Sequence, residues 1–198
     1  LRIESASGRS SRLSPQYVVE AALGAAGPGR SCITVDAGAH MFSAMAFWQA
    51  HAPATALISN GLSTMGYALP AGIARALESP DERTVVFTGD GGLMMCAGEL
   101  ATAVQCNANL CVIVFNDAAL SLIALKQRDR GMQDAGVTWP RTDFAAVARG
   151  FGMTAYTAEN NAEYEHALRQ AFAASGPCLI DAHVDPAGYR DQARRLRG

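Results

Sequence analysis

No apolar run in this chain approaches the roughly 18–20 residues of a membrane span. Residues 1–13 are polar and lack the apolar core of a secretory signal. Charge is sparse as well: 17% of residues are charged, 16 basic against 18 acidic, for a net charge of −2. That balance leaves no basic footprint for nucleic acid. The five cysteines, Cys32, Cys96, Cys106, Cys111 and Cys178, contain no Cys-x-x-Cys spacing and are odd in number. A zinc ribbon or a closed disulfide framework is therefore excluded, and the thiols read as core residues of a reducing compartment. Together these absences predict a soluble, cytoplasmic protein without repeats or low-complexity tracts.

What is present is a chain of 198 residues, 49% of them hydrophobic, enough for one domain with a core and too short for two of ordinary size. Apolar runs alternate with helical patterns. Strands are expected at Cys32–Val35, Ala56–Ser59, Thr84–Thr88, Cys111–Phe115, Thr154–Thr157 and Cys178–His183. Helices are expected at Pro15–Leu23, Met41–Gln49, Gly66–Leu77, Gly98–Cys106, Ser121–Arg128, Asp143–Gly150 and Ala162–Ala174. Continuous apolar strands separated by helices predict an α/β fold, a three-layer α/β/α arrangement around a mostly parallel six-stranded sheet. Residues 1–13 read as a linker, and Ser14-Pro15 reads as a helix cap. The domain is expected over 14–185, with a charged, aperiodic tail over 186–198 that is frayed or helical. Gly24–Gly29 superficially suggests a dinucleotide fingerprint, but it follows a helix rather than a strand, so that reading is set aside.

The most informative segment is Thr88-Gly89-Asp90-Gly91-Gly92. It lies between the apolar row Val85-Val86-Phe87 and a helical pattern, at a strand-to-helix turn. Such a turn presents free backbone N–H groups, and its glycines let a ligand approach without meeting a Cβ. A carboxylate beside a phosphate is tolerable when a cation lies between them, and Mg²⁺ takes carboxylate and phosphate oxygens together. Asn116-Asp117 closes a second buried strand and reaches the same carboxyl edge of a parallel sheet. Asp-Gly on its own is also an ordinary turn dipeptide.

The spacing from Asp90 to Asp117, the intervening helix-then-strand pattern, and the segment Ser59-Asn60-Gly61-Leu62-Ser63-Thr64-Met65-Gly66 together resemble the diphosphate-binding domain of thiamine-diphosphate enzymes. The resemblance is to the acetolactate synthase and 2-oxoacid decarboxylase group, and it covers roughly Leu13 to Asp185. It implies thiamine diphosphate and Mg²⁺ as cofactors. Asp90, Asp117 and the backbone of Ala119 would be the metal ligands. The family usually has two asparagines where this chain has Asn116-Asp117, so Asn116 stays open as a substitute ligand. Gly89, Gly91 and Gly92 would serve the diphosphate from one side. Gly38, Ala39 and His40, in the turn after the first strand, would serve it from the other. Ser63 and Met65 match the positions that meet the pyrimidine ring and prop the cofactor into its bent shape. Read without the family, His40 would be a helix cap and Met65 plain core.

By the same resemblance the cofactor's thiazolium is the electron sink for decarboxylation or carboligation of a 2-oxoacid. No catalytic residue is expected in this chain, because the activating glutamate belongs to a pyrimidine-binding domain that these residues do not contain. That domain, of the same or another chain, is the expected partner, in a homodimer or tetramer, and this chain by itself is expected to be inactive. The linker-like start favours excision from a longer polypeptide over a separate partner chain. The stretch Ala118–Ile123 carries no acidic residue of the pyruvate decarboxylase kind, and Lys126 stands where acetohydroxyacid synthases place a tryptophan, so the substrate stays open. Lys126 and Gln127 are candidates for a substrate carboxylate or for a solvated helix face, and the loop Gly131–Arg141 with Trp139 is a candidate lid. Two other readings remain: the thiamine subunit of a multi-subunit 2-oxoacid oxidoreductase, and a non-catalytic binding module.

Overall fold

The computed structural model describes residues 12–27, 29 and 31–197, with side chains through residue 193. Residues 1–11 of the expected linker lie outside it. The chain runs from helix α1 (Pro15–Ala26) into strand β1 (Ser31–Val35), then α2 (Ala39–Phe47), β2 (Ala56–Ile58), α3 (Ala68–Glu78) and β3 (Arg83–Gly89). Two short helices, α4 (Asp90–Cys96) and α5 (Glu99–Gln105), lead to β4 (Leu110–Asn116). Next come α6 (Ser121–Asp129), α7 (Phe144–Gly150), β5 (Thr154–Ala158), α8 (Asn161–Ala173) and β6 (Cys178–His183). A 3₁₀ turn, Pro186–Gly188, precedes α9 (Tyr189–Arg197).

All six strands are parallel, in the order β2-β1-β3-β4-β6-β5. Strand alternation divides the core in two. Val85 and Phe87 of β3, with Cys111, Ile113 and Phe115 of β4, face α1, α2 and α8. Val86, Val112 and Val114 face α3, α4, α5 and α7. A strand buried on both faces has no polar side to show in sequence, and β4 is buried at every position. Each such side chain contributes about 1.5–3 kcal/mol on burial. The three-layer α/β/α expectation holds, with a sheet that is entirely rather than mostly parallel.

Several boundaries differ from the sequence reading. Leu13, expected in the linker, is fully buried, bridges to Val184, and its carbonyl accepts from the Asp185 N–H at 2.8 Å. A helix begins at Asp90 itself, where the sequence reading placed a helical pattern shortly after Gly92 and bounded a helix only from Gly98, because three glycines in and before that turn mask its periodicity. The expected tail includes a buried residue, Tyr189, and the Gln192 side chain accepts from Ser43 Oγ at 2.6 Å. α1 runs three residues past the expected end at Leu23 and stops before Gly27, whose φ of 74° closes the helix. Among the described residues no helix is long and apolar enough to cross a membrane.

Candidate functional site

Successive connections leave β1 and β3 in opposite directions across the sheet, β1 leading to its neighbour β2 on one side and β3 to β4 on the other. The carboxyl ends of two strands separated in this way leave a crevice that neighbouring loops cannot fill. A cavity of about 390 Å³ occupies that place, within the size range of small-molecule sites. Gly38, Ala39 and His40 line it from the turn after β1, and Ser63 and Met65 from the turn before α3. Gly89, Asp90, Gly91 and Gly92 contribute the β3–α4 junction, and Asp117 and Ala119 the turn after β4. The residues named for the diphosphate, the pyrimidine and the metal thus line one concavity, Asn116 excepted.

The glycines are required by contacts. A Cβ on Gly91 would lie 2.7 Å from Leu120 Cδ2 and 3.3 Å from Met65 Cε, at the cavity wall. Gly89 terminates β3 and precedes α4 without giving it a side-chain cap. The His40 ring fits between Gly38 and Gly89: a Cβ on either would meet it, at 2.7 and 3.2 Å. The ring stacks on Phe115 with centroids 5.3 Å apart. Burial lowers the His40 pKa to about 4, against a smaller opposing effect of Asp36, so the ring is neutral at physiological pH. Its Nε2 is buried and makes no hydrogen bond, an unmet polar group in a cavity wall. The helix-cap reading of His40 fails, since the ring caps nothing.

Asp90 is 2% exposed. One of its carboxylate oxygens accepts from Gly91 N at 2.7 Å and the other from Ala119 N at 3.1 Å. Burial, then the nearby Asp117 charge, push its pKa up to about 7. Burial also raises Asp117, against the hydrogen bond it accepts from Ser121 Oγ. Two carboxylates are therefore held together in a partly dry site. Among the described residues no cluster of three or more His, Cys, Asp or Glu could hold a metal, so any cation here would depend on these two, on backbone carbonyls and on oxygens of a ligand. That set suits Mg²⁺, which is commonly held by one or two carboxylates plus phosphates.

Asn116 and Asp117, the two residues left open in the sequence, point to different surroundings. Asn116 is fully buried and turned inward, its Nδ2 donating at 2.9 Å to both Thr142 O and Asp181 Oδ1. Asp117, one residue on, lines the cavity. Ala118 sits at φ 60°, a left-handed turn that costs a non-glycine residue on the order of 1 kcal/mol. Backbone bonds brace this turn: Leu120 N donates to Val137 O at 2.8 Å, and Trp139 N to Ala118 O at 3.2 Å. The candidate lid 131–141 is thus docked on the turn through Val137 and Trp139. Lys126 reaches the cavity, whereas Gln127 bonds Ala135 in that loop.

Sequence reasoning missed Phe115, Leu120 and Tyr189 in the wall. The first two were visible only as core or helix residues, and Tyr189 arrives from an element read as tail. A larger depression of about 970 Å³ lies at the opposite, amino edge around Arg83. The Arg83 guanidinium there already donates to Asn109 Oδ1 and to the carbonyls of Ala174, Leu110 and Gly176, a structural clasp.

A parallel α/β sheet with a glycine-walled cavity at its switch point places this domain in the class of open α/β folds that take phosphate-bearing ligands there. Comparison with known proteins specifies it: residues 36–182 match the model for the C-terminal TPP binding domain of thiamine pyrophosphate enzymes, and the chain belongs to that family. It is 35% identical over 153 residues to the acetolactate synthase of Bacillus subtilis strain 168, covering 77% of this chain and 27% of that protein. It is 35% identical over 157 residues to the acetolactate synthase isozyme 1 large subunit of Escherichia coli K12, covering 77% and 28%. A probable 2-ketoarginine decarboxylase of Pseudomonas aeruginosa is 32% identical over 160 residues, covering 80% and 29%. The chain spans less than a third of the length of these relatives.

Proposed function

We propose that this domain binds thiamine diphosphate and Mg²⁺ for a 2-oxoacid decarboxylase or carboligase. The observation that carries the reading is the pair of carboxylates, buried Asp90 and half-buried Asp117, beside glycines whose missing Cβ atoms shape the cavity wall. Left ionised and unpaired, such groups are costly; a divalent cation bridging them to a diphosphate offsets that cost. The residues present fit the group. Asp90, Asp117 and the Ala119 carbonyl would hold the metal. The β3–α4 junction with Gly38 and Ala39 would take the diphosphate, and His40 Nε2 supplies the unmet polar atom beside it. Ser63 and Met65 would face the pyrimidine end, where the Met65 side chain can prop a bent cofactor.

Bound there, the thiazolium supplies the electron sink for breaking or forming a bond next to a carbonyl. The chain's own part is to orient the cofactor, neutralise its charge through the metal and exclude water, with Phe115, Leu120 and Tyr189 as apolar wall. Lys126, among the described residues the one lysine or arginine lining the cavity, is suited to an anionic substrate end. A pyrimidine-binding domain, which would bring the activating glutamate, is the proposed partner, within a homodimer or tetramer; without it the chain is inactive. Exposed Leu62, Met94 and Met95 support a covering partner. The free cysteines, three of them buried, support a reducing compartment such as the cytoplasm.

Titration calorimetry with thiamine diphosphate should show binding that requires Mg²⁺ and that Asp90→Ala abolishes. Metal-independent binding, or binding unchanged in Asp90→Ala, overturns the site.

A further inference from the structure

Asp36 follows β1 directly and is completely buried. One carboxylate oxygen accepts from Ala68 N at 2.6 Å. The other accepts from Gly66 N at 3.1 Å and from Thr88 Oγ1 at 2.7 Å. A Cβ on Gly92 would lie 2.3 Å from that second oxygen and 3.0 Å from Thr88 Oγ1, so α4 is pressed against the same carboxylate. Among the described residues no lysine, arginine or histidine forms an ion pair with Asp36.

The three bonds tie together segments that are far apart in sequence and adjacent around the cavity. Gly66 and Ala68 end the turn that carries Ser63 and Met65, and Thr88 immediately precedes Gly89-Asp90. Asp36 itself opens the turn that carries Gly38, Ala39 and His40. α3 takes no cap from its own N-cap residue, Tyr67, and the Asp36 carboxylate provides one from across the sheet. The Ala37 N–H, next in the chain, donates to Thr64 O at 3.3 Å, so backbone and side chain fasten the same two turns. This arrangement gives Gly92 a purpose separate from ligand approach, namely room for the Asp36 carboxylate.

We propose that Asp36 is a positioning residue. It does not line the cavity and fixes the spacing between the pyrimidine-side turn, Ser63–Met65, and the diphosphate-side turn, Gly89–Gly92. The inference rests on the thiamine-diphosphate reading of the cavity. An amide in place of the carboxylate keeps the shape, but its N–H₂ would confront a backbone N–H of Gly66 or Ala68. Thr88→Val keeps the β-branched shape of the strand residue and deletes only its hydroxyl; Thr88→Ser keeps the hydroxyl.

The test uses the protein as the cell makes it. Thiamine diphosphate affinity in the presence of Mg²⁺ is measured by calorimetry for the parent, Asp36→Asn, Thr88→Val, Thr88→Ser and Asp90→Ala. Amide hydrogen exchange is followed in the same proteins without ligand. The expected result is a loss of tenfold or more in affinity for Asp36→Asn, a smaller loss for Thr88→Val and near-parental affinity for Thr88→Ser. Exchange should accelerate at Gly66 and Ala68 while amides of β4 and β6 stay protected. Parental affinity in both Asp36→Asn and Thr88→Val would overturn the positioning role and leave the cofactor reading standing. Global loss of protection in Thr88→Val would also overturn it, showing a merely structural residue. If the parent itself binds no thiamine diphosphate, the cofactor reading fails, and the positioning role of Asp36 falls with it.

Discussion

Asp90 carries a consequence that can be measured without any cofactor. Its pKa in the folded chain is pushed up to about 7, mainly by burial and then by Asp117, whereas an unfolded aspartate titrates near 3.9. The folded state therefore holds its proton more tightly, and stability falls as pH rises from about 4 to about 7, with the loss complete above that range. Asp117 is raised in the same direction. In chelator-treated protein, urea unfolding should show a decline on the order of 2–4 kcal/mol between pH 5 and pH 8, and Asp90→Asn should flatten much of it. The slope is the readout, because the new amide also disturbs the bond from Ala119 and so shifts the absolute value. An unchanged slope in Asp90→Asn would mean that Asp90 is not the group responsible. The sequence made Asp90 legible through its glycine neighbours. It could not choose between Asn116 and Asp117, because that depends on the end of β4, where Asn116 turns toward Asp181 and the next side chain reaches the cavity.

Among the elements, α3 shows how closely helix and sheet approach behind the site. A Cβ on Gly72 would lie 2.3 Å from Val86 Cγ2 and 3.1 Å from Thr34 Oγ1, and the Thr34 hydroxyl donates to Ala68 O at 2.7 Å. Helix propensity alone favours Gly72→Ala by about 1 kcal/mol, but overpacking opposes it by about 1–3 kcal/mol. Gly72→Ala should therefore destabilise by up to about 2 kcal/mol in urea unfolding, and Val86→Ala in the same chain should recover part of that loss. A more stable Gly72→Ala protein would show that the helix rides higher on β3 than described. Most elements were legible because their periodicity is long and clean. The exceptions have specific causes. In α4 the glycines needed by the cavity dilute the helical pattern, and α9 offers mostly charged residues whose few anchors, Tyr189 and Gln192, gain meaning only against α2 and the cavity.

For the molecule as a whole, cofactor binding should act as a stability term. Ligand at a hundredfold excess over its dissociation constant adds about 2.7 kcal/mol, and a domain of this size gains roughly 2–4 °C per kcal/mol. Thermal unfolding with thiamine diphosphate and Mg²⁺ should therefore shift upward by about 5–10 °C, and chelation should return the midpoint to the metal-free value. A shift that survives chelation would show binding that does not use the carboxylate pair.

By itself the sequence determined the layered α/β class, the parallel sheet, the family and the glycine- and carboxylate-bearing turns. Those properties follow from local pattern: apolar strands, helical periods, and glycines wherever a Cβ would collide. Only the tertiary structure decided that Asp117 rather than Asn116 faces the cavity, that His40 is a neutral wall residue with an unmet nitrogen, that Tyr189 closes one side, and that Asp36 ties three turns together. Each of these depends on contacts between segments far apart in the chain, and no local pattern records which side chain fills the space at a strand end once the sheet order has set its neighbours.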